Sequence, residues 1–192
     1  MIYEYDFFDR NQLRQMISLF DAGKFVDGAA SGPKDKNIKD NTQQEDIDIN
    51  KMVNSGIAKI MRESQVCKYH PLNKCSPSLL LKYEEGQHYG DHTDFFEMWG
   101  SRTDYTAVIN LNDDYEGGVL EIDSEDRYWK ATPRATRSSL GNICVFPSDT
   151  YHRVTKVTKG TRYSLVIWVM GEPWRYYEIT TFCLVISRSV RL

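Results

Sequence analysis

The sequence predicts a mainly β (α+β) domain, with a sandwich or barrel core and helices on its amino-terminal flank. Three observations predict it. From Ser78 onward the chain breaks into short β-type runs: SLLLKY, YTAVINL, GGVLEID, NICVFP, HRVTKV and RYSLVIWVM. Several alternate or are β-branched, and Gly86, Gly90, Gly117-Gly118, Gly141-Asn142 and Gly160 punctuate them. Before Ser78 the apolar spacing is helical instead. Many short strands at such intervals close into a sandwich or barrel.

In chain order, residues 9–23 read as an amphipathic helix with Leu13, Met16, Ile17 and Phe20 on one face and Gly23 as its stop. Residues 24–44 are rich in Gly, Lys, Asp and Asn and read as short strand, turn and exposed loop. Residues 45–62 read as a second helix: Ile49, Met52, Val53, Ile57 and Ile60 form its stripe, and acidic residues at its start suit the helix dipole. The expected organisation is one domain over 1–172, with a helical flank at 1–65 and a strand-rich core at 78–171. Residues 173–192 fit no part of this pattern.

The 192 residues suffice for one domain with a sizeable core. Hydrophobic residues at 41% and charged residues at 27% are ordinary for a soluble globular chain. A net charge of -3 supplies no basic field for nucleic acid. No apolar run approaches the roughly 20 residues that span a membrane. The start, MIYEYDFFDR, lacks a signal-peptide pattern, so the cytoplasm is the expected compartment. Cys67 and Cys75 flank His70, but no Cys-x-x-Cys pair supports a zinc site.

The chemistry resides in four scattered residues: His92 and Asp94 in YGDHTDFF, His152 in PSDTYHRV, and Arg162 in KGTRYSL. His92 and Asp94 are two apart, so on a strand both side chains reach one ion. Two imidazoles and one carboxylate hold Fe(II) on one face and leave the other open. A bidentate 2-oxo acid takes two open positions and O2 the third. The His-x-Asp pair alone is a weak signal, and its strand-rich context strengthens it. His88 is a rival ligand, four residues before His92. That spacing suits a helix, which Gly86 and Gly90 disfavour. Arg162 opens a largely apolar run and needs an anionic partner, and its planar fork matches a carboxylate.

These motifs resemble the PKHD-type hydroxylases, relatives of the prolyl 4-hydroxylases among the iron/2-oxoglutarate oxygenases. FVDGAASG with KDNTQQ (25–44), LKYEEGQHYGDHTD (81–94), RTDYTAVINLNDDYEGGVLEI (102–122) and LGNICVFPSDTYHRVTKVTKGTRYSLVIWV (140–169) carry the resemblance in order. It implies a double-stranded β-helix, a jelly-roll core with helices on one side. It implies that His92, Asp94 and His152 bind iron and that Arg162 binds the distal carboxylate of 2-oxoglutarate, with Tyr83 helping to hold it. The segment after Pro173 departs from the family pattern.

The expected activity is hydroxylation of a C–H bond, of a peptidyl residue such as proline, with release of succinate and CO2. Fe(II), 2-oxoglutarate and O2 are the implied cofactors and ascorbate the reductant. The same chemistry on a free small molecule, a non-catalytic binding barrel and a cupin-like metalloenzyme without a 2-oxo acid are the alternatives. Tyr89, Phe95, Phe96, Trp99, Arg102 and Trp168 are candidates for the mouth of the site. FFEMWGSR, after Asp94, reads as an exposed substrate-facing loop, and residues 28–44 as a flexible lid.

Overall fold

A computed structural model describes residues 3–6, 8–44, 74–98, 100–123, 134–136 and 139–170. The second helix expected over 45–62, the neighbourhood of Cys67 and His70, and the tail from 171 lie outside these residues.

The helix Arg10–Asp21 begins where its sequence directs. Asp9 accepts from the backbone N–H groups of Asn11 and Gln12, and the Gln12 side chain accepts from the Asp9 N–H. This reciprocal capping box satisfies donors that a helix start otherwise leaves orphaned. Leu13, Met16 and Phe20 are buried together, as their spacing predicts.

The strands form two facing antiparallel sheets. In the larger, neighbours run Tyr3–Asp6, Asn142–Pro147, Ser101–Asn110, Arg162–Met170, Leu79–Tyr83, Thr42–Gln44 and Phe25–Asp27. Lys74–Cys75 and Glu97–Met98 pair at its margin. The smaller runs Arg134–Thr136, Leu120–Ile122, His152–Val154, His88–His92 and Lys39–Asp40. Glu116–Gly117 and Val157–Lys159 make a separate two-stranded ribbon. Two facing antiparallel sheets with a helix against the larger one make the double-stranded β-helix that the sequence implies.

Alternation along Arg162–Met170 organises the interior. Leu165, Ile167 and Val169 join the helix residues in one apolar cluster. Val166 faces the other way, into a cluster shared with Leu120, Ile122 and Val154 of the smaller sheet. Arg162, Ser164 and Trp168 have the same parity as Val166. The strand thus presents its apolar face to the helix and its chemistry to the space between the sheets.

Four expectations need correction. Residues 39–44 do not belong to a flexible lid: Lys39–Asp40 joins the smaller sheet and Thr42–Gln44 the larger, and Asn41, Gln43 and Gln44 are buried. The segment is polar, but its last residues give their backbone groups to two sheets, while 32–38 form the mostly exposed loop that the composition predicts. FFEMWGSR is not wholly a loop: Glu97–Met98 folds back on Ser101 and Arg102 as a hairpin, while Phe95 is exposed as expected. HRVTKV divides into two strands in different sheets. The region expected as a helical flank also supplies strands to both sheets.

Candidate active site

His92 and His152 are register partners on adjacent antiparallel strands, with ring centroids 4.1 Å apart. Asp94 follows His92 just past the strand end and returns to the same spot. Its Oδ1 lies 3.7 Å from His92 Nε2 and its Oδ2 3.5 Å from His152 Nε2. The three side chains offer donor atoms all within 4.8 Å of one another. Among the described residues this is the one such group of His, Cys, Asp and Glu.

The surroundings prepare the donors. His92 Nδ1 contacts the Gly90 carbonyl at 2.8 Å, and His152 Nδ1 the Thr150 carbonyl at 3.0 Å. A carbonyl only accepts, so each Nδ1 carries a proton, and each Nε2 faces Asp94, ready to hold a proton against the carboxylate or a lone pair against a metal. Burial, with His152 beside it, pushes His92 down to about 4, which keeps that imidazole neutral at physiological pH. Burial pushes the Asp94 carboxyl up, but the two imidazoles outweigh it and hold Asp94 below its usual range. Thr106 donates to Asp94 Oδ2 at 3.0 Å, and the Thr103 hydroxyl donates to its carbonyl at 2.6 Å. Two imidazoles and one ionised, oriented carboxylate form a donor set that suits ferrous iron.

The cluster opens into a pocket of about 510 Å³ of empty space, part of it exposed to solvent, between the sheets. Arg162 lies in its wall, 2% exposed. One Nη donates to Ser164 Oγ at 2.8 Å, while Nε has no hydrogen-bond partner. The Tyr83 hydroxyl is likewise buried without a hydrogen bond, although the Asn41 side chain lies close enough to favour its ionised form. Burial pushes this phenol up to about 12, so it stays a neutral donor. A buried donor left unpaired costs roughly 1–3 kcal/mol. Two such donors beside one another, one of them cationic, fit a carboxylate that both can share. The residues present therefore fit an iron ion at one end and a dicarboxylate's far end at the other.

Of the residues expected at the mouth, Tyr89 and Trp168 line the pocket. Tyr89 stacks on His92 at 3.5 Å. The Trp168 indole N–H is buried without a partner, close enough to Asp94 to favour its ionised form. Phe96 packs edge-on behind Trp168 at 5.0 Å. Phe95 and Arg102 sit outside on the hairpin, exposed and stacked cation over ring at 5.3 Å. Trp99 lies outside the described residues. His88 bonds the Asn37 carbonyl at 3.0 Å and takes no part in the cluster.

Sequence reasoning missed Thr106, Ser164 and Lys39. Ser164 carried a signal, being two residues beyond Arg162 on one strand. Thr106 and Lys39 carried none without the pairing of strands.

Comparison with known proteins agrees with this geometry. Residues 78–170 match the family model of the 2OG-Fe(II) oxygenase superfamily. A PKHD-type hydroxylase of Idiomarina loihiensis is 30% identical over 177 residues, covering 85% of this chain and 74% of the relative. In fold, a Pseudomonas putida prolyl-4-hydroxylase superposes with a TM-score of 0.65 at 17% identity, covering 90% of this chain and 93% of that one. A Trichoplax adhaerens prolyl hydroxylase, solved with a peptide fragment of the hypoxia inducible factor oxygen degradation domain, gives 0.68 at 16%, covering 89% and 84%. No helix among the described residues is long and apolar enough to cross a membrane. With its motifs in the family's order and His92, Asp94 and His152 gathered in one pocket with Arg162, the chain belongs to the 2OG-Fe(II) oxygenase superfamily, as a 2-oxoglutarate-dependent dioxygenase of the PKHD hydroxylase type.

Proposed function

We propose that the enzyme hydroxylates a C–H bond of a peptidyl prolyl residue and releases succinate and CO2. The observation that carries the reading is one pocket holding both an ion-sized cluster, His92, Asp94 and His152, and a separate pair of unpaired buried donors, Tyr83 and Arg162. The peptide-bound Trichoplax neighbour and the prolyl-4-hydroxylase neighbour support a prolyl peptide as substrate.

In this reading His92, Asp94 and His152 hold the iron, and Arg162 with Tyr83 receives the distal carboxylate of 2-oxoglutarate. When bound, ferrous iron with 2-oxoglutarate and O2 supplies the oxidising power that breaks the C–H bond. The chain's own part is placement. Thr106 keeps the Asp94 carboxylate turned toward the imidazoles, and the Gly90 and Thr150 carbonyls fix both rings. Arg162 and Tyr83 fix the cosubstrate's orientation. Leu81, Val108, Leu120, Val154 and Val166 make the pocket wall apolar, which excludes water and strengthens each polar contact inside.

The test is succinate formation from 2-oxoglutarate with Fe(II), ascorbate and O2, followed by a prolyl-peptide screen read by a gain of one oxygen in mass. Turnover that disappears in Asp94→Ala, with one peptide oxidised, is the expected result. Succinate production that persists in that variant sinks the ligand assignment. Oxidation of free amino acids with no peptide oxidised would replace the peptide reading.

A further inference from the structure

Lys39 is a buried cation in the pocket wall to which the roles above assign nothing. It is 2% exposed and stands opposite Tyr89 in the smaller sheet. Its Nζ donates to the Gly28 carbonyl at 2.8 Å and to Ser31 Oγ at 3.2 Å. It also lies 5.0 Å from the centre of the Tyr89 ring, the ring that stacks on His92. Lys39, Ser31 and Tyr89 all line the pocket. The ammonium therefore sits in the wall one ring away from the metal-ligand cluster.

An ammonium has three N–H donors, and two are taken. Among the described residues no carboxylate stands within ion-pair distance of it; Asp94 and Asp27 act on it only through space. Burial of a cation without a counter-ion is unfavourable, and burial pushes Lys39 down to about 8. The charges of the occupied pocket sharpen the question. Ferrous iron and doubly ionised 2-oxoglutarate cancel, and so do Asp94 and Arg162. Lys39 is left over, with one donor to spare.

Resting on the oxygenase reading of this pocket, we propose that Lys39 anchors a carboxylate of the substrate, so that the enzyme prefers substrates bearing an anionic group close to the C–H bond attacked. The carboxylate belongs either to the terminus of the reacting residue or to an acidic side chain beside it. The purely structural role, a lysine that ties the turn Gly28–Ser31 to the sheet, predicts no preference between charged and neutral substrates.

The test uses the full chain with 2-oxoglutarate and Mn(II), so that binding is read without turnover. Calorimetry compares three pairs: acetylproline and its amide, acetyl-aspartyl-proline amide and its asparaginyl counterpart, and acetylleucine and its amide. Wild type is set beside Lys39→Met and Lys39→Gln; the latter keeps a donor for the Gly28 carbonyl should the former not fold. Wild type should bind at least one acid roughly ten-fold more tightly than its neutral partner, and the variants should lose that preference. The first two pairs separate a terminal carboxylate from a side-chain one. Preference for the leucyl acid alone keeps the anchor and overturns the prolyl reading. Equal affinities in wild type, a preference that survives in the variants, or no binding of any compound overturns the anchor. So does a matching fall in 2-oxoglutarate affinity in the variants, which would assign Lys39 to the cosubstrate.

Discussion

Arg162 stands directly opposite Tyr83 on adjacent antiparallel strands, with the guanidinium carbon 5.3 Å from the centre of the phenol ring. Cross-strand partners share a face, so this register alone delivers a cation and a neutral hydroxyl donor to one spot in the pocket. Both are buried, and each keeps a donor unpaired. On the proposed reading, the far end of the cosubstrate would be held by two strands of one sheet rather than by a loop.

Tyr83→Phe removes one of these donors and leaves the ring beneath Arg162. Apparent KM for 2-oxoglutarate should rise roughly ten-fold while kcat changes little, because the hydroxyl holds the cosubstrate before and during the reaction alike. Steady-state succinate release at varied 2-oxoglutarate decides it. An unchanged KM would remove Tyr83 from the carboxylate site.

Gly118 controls the same site from behind. It has φ +56°, and an added Cβ would lie 2.9 Å from Arg162 Cδ and 3.0 Å from Val157 Cγ2. Gly118→Ala should therefore displace the arginine stem and weaken 2-oxoglutarate binding, besides costing about 1–2 kcal/mol for the left-handed backbone. Gly86→Ala is the control, since Gly86 has φ +88° with open space around its would-be Cβ. It should lose stability alone. Equal 2-oxoglutarate affinity in the two variants would show that Gly118 only shapes the turn.

Part of this site was legible because Arg162, Ser164 and Trp168 share one long strand, whereas His92, Asp94 and His152, on short strands or just past a strand end, were legible through their motifs. RYSLVIWVM names its own inner face once the strand is recognised, and Arg162 and Trp168 fall on it. NICVFP and SLLLKY were equally plain. Lys39 was not legible, because KDKNIKDN reads as solvated charge. The strand that buries Lys39 is two residues long and too short to show a period. Phe96 is a related case: beside a hairpin of two residues per side it turns onto Trp168, while Phe95 is 51% exposed. Pairing between distant strands decides both cases, and pairing is not written in local composition.

Thr106 tests how far the metal depends on its surroundings. Its hydroxyl donates to Asp94 Oδ2 and lies 3.1 Å from Ser148 Oγ. Thr106→Val keeps the shape but frees the carboxylate to turn, and loss of such an outer partner typically lowers metal affinity about 10–100-fold. Titration with Mn(II), followed by electron paramagnetic resonance, should show this loss with the fold intact by circular dichroism. Wild-type affinity would mean that Asp94 is oriented without the threonine, by the imidazoles and the Trp168 indole.

Lys39 links the pocket to stability through pH. Burial lowers its folded pKa to about 8 from an ordinary 10.5, so between these values the unfolded chain holds more protons than the folded one. Stability then rises with pH across that window, and the contribution is absent below pH 8, where the ammonium is charged in both states. A shift of this size corresponds to about 1–3 kcal/mol once partial solvent access and relaxation are allowed for. Tyrosines, cysteines and other lysines titrate there too, but equally in Lys39→Met. The difference between wild type and variant in urea midpoint, measured at pH 8 and again at pH 10, isolates Lys39. It should move in favour of wild type as pH rises. A difference that stays constant would mean that water reaches the ammonium, and Lys39 would then behave as an ordinary surface lysine in the free enzyme.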